Sequence, residues 1–175
     1  WTRYIEAAGR ICAAAGVQIA RLNVGGGFPS HRLAGEAPAV APIFAEIDRA
    51  TDTVFGAARP TLVCEPGRAM VAEAFTLATR VRAVRDGAHV FLNDGVYGAL
   101  AELPLVGILN RIEVQTPDGA LRVGQKSPRT VFGPTCDSVD RLPSDVDLPD
   151  TIEEGDFVLF HGLGAYSAAT NTRFN

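Results

Sequence analysis

The chain has 175 residues, 47% of them hydrophobic, and a formal net charge of −4. That length allows one domain or two small ones, and the apolar share is enough for a real core. The acidic balance argues against a nucleic-acid footprint, no apolar run reaches membrane-spanning length, and the start carries no signal-peptide pattern, so neither nucleic acid nor membrane is an expected partner.

Residues 1–15 place Trp1, Ile5, Ala8, Cys12 and Ala15 on one helical face, and Gly16 can cap the end. Ile19–Val24 is a short apolar strand. Over residues 40–55, Val40, Ile43, Phe44, Ile47, Val54 and Phe55 recur at helical spacing, and Thr61–Cys64 is the next short strand. Continuous apolar strands separated by helices signal a parallel α/β layer, buried on both faces. After about residue 76 the pattern changes. Leu77, Thr79, Val81 and Ala83 alternate with polar positions, as in a half-buried strand, and His89–Leu92 is another. Ile112–Thr116 and Ala120–Val123 flank Pro117-Asp118-Gly119, a hairpin turn. Val131–Phe132 and Phe157–Phe160 are later strands, whereas residues 143–150, with Pro143, Pro149 and several aspartates, are expected to form an exposed loop. The expected fold is α/β over residues 1–76 followed by a mostly antiparallel β-domain over residues 77–175.

Two strand ends in the first half carry chemistry. Leu22-Asn23-Val24 runs into Gly25-Gly26-Gly27, whose bare N–H groups can approach an anion without interference from a Cβ. Equally, the glycines suit a tight strand-to-helix turn with no ligand. Val63-Cys64 runs into Glu65-Pro66-Gly67-Arg68, where Pro66 stops the ladder and leaves a carboxylate at the strand end. Glu65 is either a structural carboxylate paired with Arg68 or another arginine, or a fixed negative charge that keeps a ligand's ring nitrogen protonated. A phosphorylated, nitrogen-bearing cofactor needs both groups, and pyridoxal phosphate is the candidate.

In the second half, Gly133-Pro134-Thr135 presents Cys136 and Asp137. The thiol could exchange a proton and the carboxylate could bind an ammonium; alternatively they are a buried inert cysteine and a turn-forming aspartate. Tyr166, in Gly164-Ala165-Tyr166, is a core tyrosine or a phenol for a phosphate oxygen. Cys12, Cys64 and Cys136 are odd in number and far apart, which gives neither a zinc pattern nor a disulfide framework and makes a reducing cytoplasm the expected compartment. His31, His89 and His161 stand apart from one another, and none is assigned as a metal ligand.

Asn23-Val24-Gly25-Gly26-Gly27-Phe28-Pro29, Glu65-Pro66-Gly67-Arg68, Asn93-Asp94-Gly95-Val96-Tyr97-Gly98, Gly133-Pro134-Thr135-Cys136-Asp137-Ser138 with Asp140, and Gly164-Ala165-Tyr166 occur in this order across nearly the whole chain. Together they resemble the fold-type III pyridoxal-phosphate decarboxylases, the ornithine and diaminopimelate decarboxylase family. The Pro-Thr-Cys-Asp form and the ending Thr172-Arg173-Phe174-Asn175 resemble the ornithine branch; the diaminopimelate branch typically has Cys-Glu-Ser. The resemblance implies a TIM-like (β/α)8 barrel, of which residues 1–76 would be the C-terminal part, followed by the β-domain in a cytoplasmic homodimer with shared active sites. It implies that Gly25, Gly26, Gly27, Gly67, Arg68 and Tyr166 hold the cofactor phosphate and that Glu65 faces the pyridine nitrogen. Cys136 would act near the substrate α-carbon, and Asp137 would hold the distal ammonium of a diamino acid, both in the partner's site, with Phe174 lining it.

Two departures accompany the match. The single lysine, Lys126, lies in the β-domain and does not match the family's Schiff-base lysine, which lies upstream of the glycine loop; the chain is therefore expected to be the C-terminal part of a longer enzyme. The eukaryotic ornithine enzymes carry a Tyr-Asp-His segment after Asp-Gly-Val-Tyr-Gly, and here Glu102 is the carboxylate in that region. The implied reaction is decarboxylation of a basic amino acid, L-ornithine to putrescine in polyamine biosynthesis. The alternative is an inactive homologue with a binding role, like the antizyme inhibitors, and the sequence upstream of Trp1 would discriminate between them.

Overall fold

A computed structural model describes residues 1–107, 110–172 and 174, so Arg173 and Asn175 of the terminal motif lie outside the described residues. The chain divides into two compact units, Trp1–Ser30 with Ala37–Met70, and His31–Glu36 with Val71–Asn175.

In the first unit, helix α1 (Thr2–Ala15) ends where Gly16 takes a left-handed conformation at φ 65° and donates to the Ala13 and Cys12 carbonyls. Strand β1 (Arg21–Asn23), helix α2 (Ala41–Phe55) and strand β2 (Thr61–Val63) follow, and β1 and β2 pair in parallel with Leu22 opposite Leu62. The helices touch where α1 has Gly9, because a Cβ there would run into the Val54 side chain. Ile5, Phe28, Ile47 and Ala50 form the core, with Leu22 and Leu62 packed against it. Phe28 stacks on Trp1 at 5.1 Å and on Phe44 at 5.0 Å. The strands are not buried on both faces as expected. Arg21, Asn23, Thr61 and Val63 are exposed, because the helices cover only the side to which Leu22 and Leu62 point. Helix α3 (Arg68–Val71) opens directly after the Glu65-Pro66-Gly67 turn.

The second unit is built on a six-stranded sheet. Its strands are β3 (Leu77–Arg85), β4 (His89–Leu92), β5 (Ile112–Gln115), β6 (Lys126–Phe132), β7 (Val146–Pro149) and β8 (Phe157–Phe160), in the order β5-β8-β3-β4-β6-β7. Every neighbouring pair is antiparallel except β4 with β6. Val81, Val90, Leu92, Val131, Val158 and Phe160 sit at its centre. Residues 143–150 are a correction to the exposed-loop expectation. Val146, Leu148 and Pro149 are buried and only Asp147 of β7 faces out. This period-2 alternation makes an edge strand, where proline is tolerated. The turn at residues 117–119 forms, with Gly119 at φ 89° and Thr116 N–H bonded to Ala120 O at 2.9 Å. Residues 120–123 nevertheless make no strand, only a bridge from Leu121 to Gln115, since Leu121 and Val123 are 53% and 76% exposed and have no core to enter.

The sheet unit begins at Val71 rather than at 77. Gly164 N–H bonds Ala72 O at 2.8 Å and Leu163 N–H bonds Phe75 O at 3.1 Å, which sews the segment before β3 to the chain after β8. Residues 31–36 join the same unit because Arg111 donates to His31 O at 2.8 Å and Ala34 N–H donates to Asn110 Oδ1 at 2.6 Å. Two short helices, α4 (Leu103–Val106) and α5 (Ser167–Thr170), complete the unit.

Candidate functional site

The strand ends of the first unit bring the glycine loop and Glu65 together. Asn23, the last residue of β1, does two jobs. Its Oδ1 accepts from Gly25 N–H at 2.8 Å, and its Nδ2 donates to Glu65 Oε1 at 2.5 Å. The backbone repeats the link, with Glu65 N–H on Gly25 O and Val24 N–H on Val63 O, both at 2.8 Å. Gly25 and Gly27 need glycine for conformation, at φ 74° and 77°. Gly26 needs it for space, because a Cβ would strike the Glu65 carbonyl. Gly67 has φ 48° and Arg68 begins α3, so the expected phosphate ligands Gly25, Gly26, Gly27, Gly67 and Arg68 lie on two adjoining loops of one unit. Asn23, which holds this arrangement, carries no assigned role in the sequence; its place one residue before an apolar-to-glycine transition was the available signal.

In the second unit, the loop after β4 meets the loop after β6. Asn93 anchors the first, accepting from Arg80 N–H on Oδ1 at 2.6 Å and donating its own N–H to Arg80 O at 3.0 Å. The Asp94 carboxylate accepts from Gly95 N–H at 2.8 Å and Ala99 N–H at 3.3 Å, and fills the space that a Cβ on Gly98 would need. The turn so formed presents Tyr97, whose phenol donates to Asp137 Oδ2 at 2.5 Å. Asp137 also accepts from Val139 N–H at 3.0 Å. These bonds hold its carboxyl below the ordinary range, Tyr97 first and Val139 second, while the Asp137 carboxylate raises the Tyr97 phenol. Phe174 packs on Tyr97 with ring centroids 4.7 Å apart, and Thr172 Oγ1 donates to Tyr97 O at 2.5 Å. Asn93, Asp94, Tyr97, Thr135, Thr172 and Phe174 line a cavity of about 170 Å³.

Cys136 is a free, exposed thiol, so the buried-cysteine alternative does not hold; neither Cys136 nor Asp137 lines that cavity. Tyr166 is 53% exposed at φ 67°, which removes the core-tyrosine alternative. Glu102 is 4% exposed at the start of α4 and takes no part in lining the cavity. Lys126 is exposed at the start of β6, across from Pro149. Among the described residues no group of histidine, cysteine and carboxylate side chains is placed to hold a metal ion. Tyr97 belongs to the Asn93–Gly98 motif, and its only signal in the sequence is that of an aromatic between Gly95 and Gly98 in a loop after a strand.

The chain shares its fold with the fold-type III decarboxylases. The solved lysine decarboxylase of Selenomonas ruminantium matches with a TM-score of 0.79 and 28% identity, over 99% of this chain and 45% of that one. Residues 11–164 match the family described as pyridoxal-dependent decarboxylase, C-terminal sheet domain, and the chain belongs to that family. The chloroplastic ornithine decarboxylase of Nicotiana glutinosa is 34% identical over 170 residues, covering 88% of this chain and 36% of that protein. The diaminopimelate decarboxylase of Actinosynnema pretiosum subsp. auranticum is 35% identical over 181 residues, covering 98% and 40%. The chain thus spans less than half the length of the curated relatives it matches.

Proposed function

We propose that this chain supplies the cofactor-anchoring loops and the substrate end-group site of a pyridoxal-phosphate-dependent decarboxylase acting on a basic amino acid, L-ornithine to putrescine being the preferred reaction. The observation that carries the reading is Asn23, which clamps the glycine loop and Glu65 into one unit at the ends of two paired parallel strands. Those paired strands and their helices support assigning residues 1–76 to the closing part of a TIM-like barrel, where ligands sit at the C-terminal strand ends.

The residues present fit pyridoxal phosphate. Gly26 approaches the Glu65 backbone too closely for any side chain, and Gly25 and Gly27 turn the chain with no Cβ in the way of an anion. When bound, the cofactor supplies the electron sink that decarboxylation at an α-carbon requires. Glu65 holds the proton on the ring nitrogen, because a fixed opposite charge favours the protonated base. Gly25–Gly27, Gly67 and Arg68 hold the phosphate, and Tyr166 is added on its place in the family motif. Cys136 gives or takes the proton at the substrate α-carbon, and Asp137 accepts a hydrogen bond from the distal ammonium. Tyr97 orients Asp137, and Phe174 lines the apolar stem of the substrate. In a homodimer with shared sites, Cys136, Asp137 and Phe174 would serve the partner. Ornithine is preferred because Asp137 stands where the diaminopimelate branch carries a glutamate.

The test is CO2 release by the protein that contains this chain, with ornithine, lysine and diaminopimelate compared under cofactor saturation. Ornithine should be turned over fastest. A protein that binds the cofactor yet releases no CO2 from any of the three would overturn the reading.

A further inference from the structure

We propose that Asp140 is a positioning residue whose buried side chain locks the loop carrying Tyr97 onto the loop carrying Asp137, and so sets the Tyr97–Asp137 hydrogen bond. Asp140 is 1% exposed and lies outside the residues that line the cavity. Its Oδ1 accepts from Val96 N–H at 3.0 Å, the amide just before Tyr97. Its Oδ2 accepts from Thr135 N–H at 3.0 Å, two residues before Asp137. Its backbone closes the second loop, with Asp140 N–H on Asp137 O at 3.0 Å and Gly133 N–H on Asp140 O at 2.8 Å. An ordinary turn-forming aspartate bonds amides of its own loop. This one also bonds an amide 44 residues away, and so joins two loops that the sheet alone does not pair.

The glycines around it give a second, independent sign. A Cβ on Gly95 or on Gly133 would strike the Asp140 carboxyl, one glycine from each loop. Neither has a positive φ, so neither is glycine for conformational reasons. Both leave room for the same carboxyl. Each loop has given up a side chain to admit Asp140, which is the arrangement expected of a shared anchor.

Only the consequence of the anchor, weaker hold on a substrate ammonium, rests on the decarboxylase reading; the anchor itself does not. The experiment therefore uses the cofactor-free protein. 3-Fluorotyrosine is incorporated, its ¹⁹F resonance at Tyr97 is assigned by its loss in Tyr97→Phe, and the phenol is titrated. Asp140→Asn should move the Tyr97 midpoint down, toward that of an exposed tyrosine. An unchanged midpoint overturns the proposal. Asp140 also acts on Tyr97 through space, so the same change is made in an Asp137→Asn background. There it should have little further effect, and persistence of the full shift would mean that charge alone is responsible and would overturn the proposal. Should Asp140→Asn not fold, Gly133→Ala serves, since the three atoms nearest its added methyl all belong to the Asp140 carboxyl, which it displaces while keeping the charge. It should move the midpoint in the same direction, and failure to do so is equally fatal. In the holoenzyme, Asp140→Asn should raise KM for the diamino acid more than it lowers kcat. A positive titration result without that KM effect would count against the role given to Asp137 and leave the anchor standing.

Discussion

Glu65 and Asp137 are both exposed carboxylates in loops that follow one strand of a parallel pair, and they are held by different groups. Glu65 is held by the amide of Asn23, from the neighbouring strand of the same parallel pair. Asp137 is held by the phenol of Tyr97, from the loop that follows β4, the parallel neighbour of β6. Their supports differ as well. Among the described residues, four buried apolar side chains form the core of the first unit and fifteen that of the second. At roughly 1.5–3 kcal/mol for each large side chain buried, the second unit carries most of the burial energy. On the proposed reading, the group that faces the cofactor depends on the pairing of two strand ends and a glycine contact, and the group that holds the substrate end depends on contacts between two loops over a large core.

The largest expected effect lies at Glu65. In the full-length enzyme, Glu65→Ala should lower kcat by roughly 10²–10³, the usual scale for losing one fixed electrostatic group at a reacting centre. Stability should fall by about 0.5–1.5 kcal/mol, the scale of the Asn23 hydrogen bond that is lost, so the fold survives. Steady-state kinetics beside a urea titration checks both, and near wild-type turnover would remove Glu65 from the chemistry. Gly26→Ala probes the contact that sets Glu65. The added methyl meets the Glu65 carbonyl, so the strand ends must part at a cost of about 1–3 kcal/mol. Gly25→Ala meets nothing within 4 Å and should be destabilising through its positive φ alone, about 1–2 kcal/mol. Cofactor affinity separates them: Gly26→Ala should weaken it more for a given loss of stability. Equal behaviour would show that backbone conformation, and not the approach to Glu65, is what matters.

For the second region the matching change is Asp137→Asn. A hydrogen bond to a charged partner contributes about 1.5–3 kcal/mol, so KM for ornithine should rise roughly 10- to 100-fold with a smaller change in kcat. An unaltered KM would assign the distal ammonium to another group.

The first region was largely legible in the sequence. Apolar residues ending in glycine, and then in Glu-Pro-Gly, mark strand ends whatever the rest of the chain does. Parallel pairing of two such strands brings their ends together. What could not be read was which face of the strands is covered, since short apolar runs look alike whether one side is packed or both. The second region was legible only as motifs. Nothing local says that Asp140 points inward while Asp137, three residues earlier, points out. That choice is made by the Val96 amide, 44 residues away, together with that of Thr135. β7 was missed for a related reason. Val146-Asp147-Leu148-Pro149 alternates as a strand does, but the surrounding prolines and aspartates carry turn chemistry, and only the free edge of β6 decides between the two.

The smallest expected effect, and the one that tests the difference most directly, belongs to Tyr97→Phe. It removes one hydrogen bond and keeps the ring against Phe174, so KM should rise only a fewfold. The pH profile carries the information. The Asp137 carboxyl is depressed, so its charge persists on acidification and is lost as pH falls through that lowered value. The Tyr97 phenol is raised, so the pair survives on the alkaline side until pH rises through that raised value. Substrate binding through Asp137 should therefore be flat across neutral pH. Without the phenol the largest cause of the depression is gone, and the acid limb of kcat/KM should move up toward the ordinary carboxylate range. An acid limb that stays in place in Tyr97→Phe would mean that the tyrosine holds the ring of Phe174 and not the charge of Asp137.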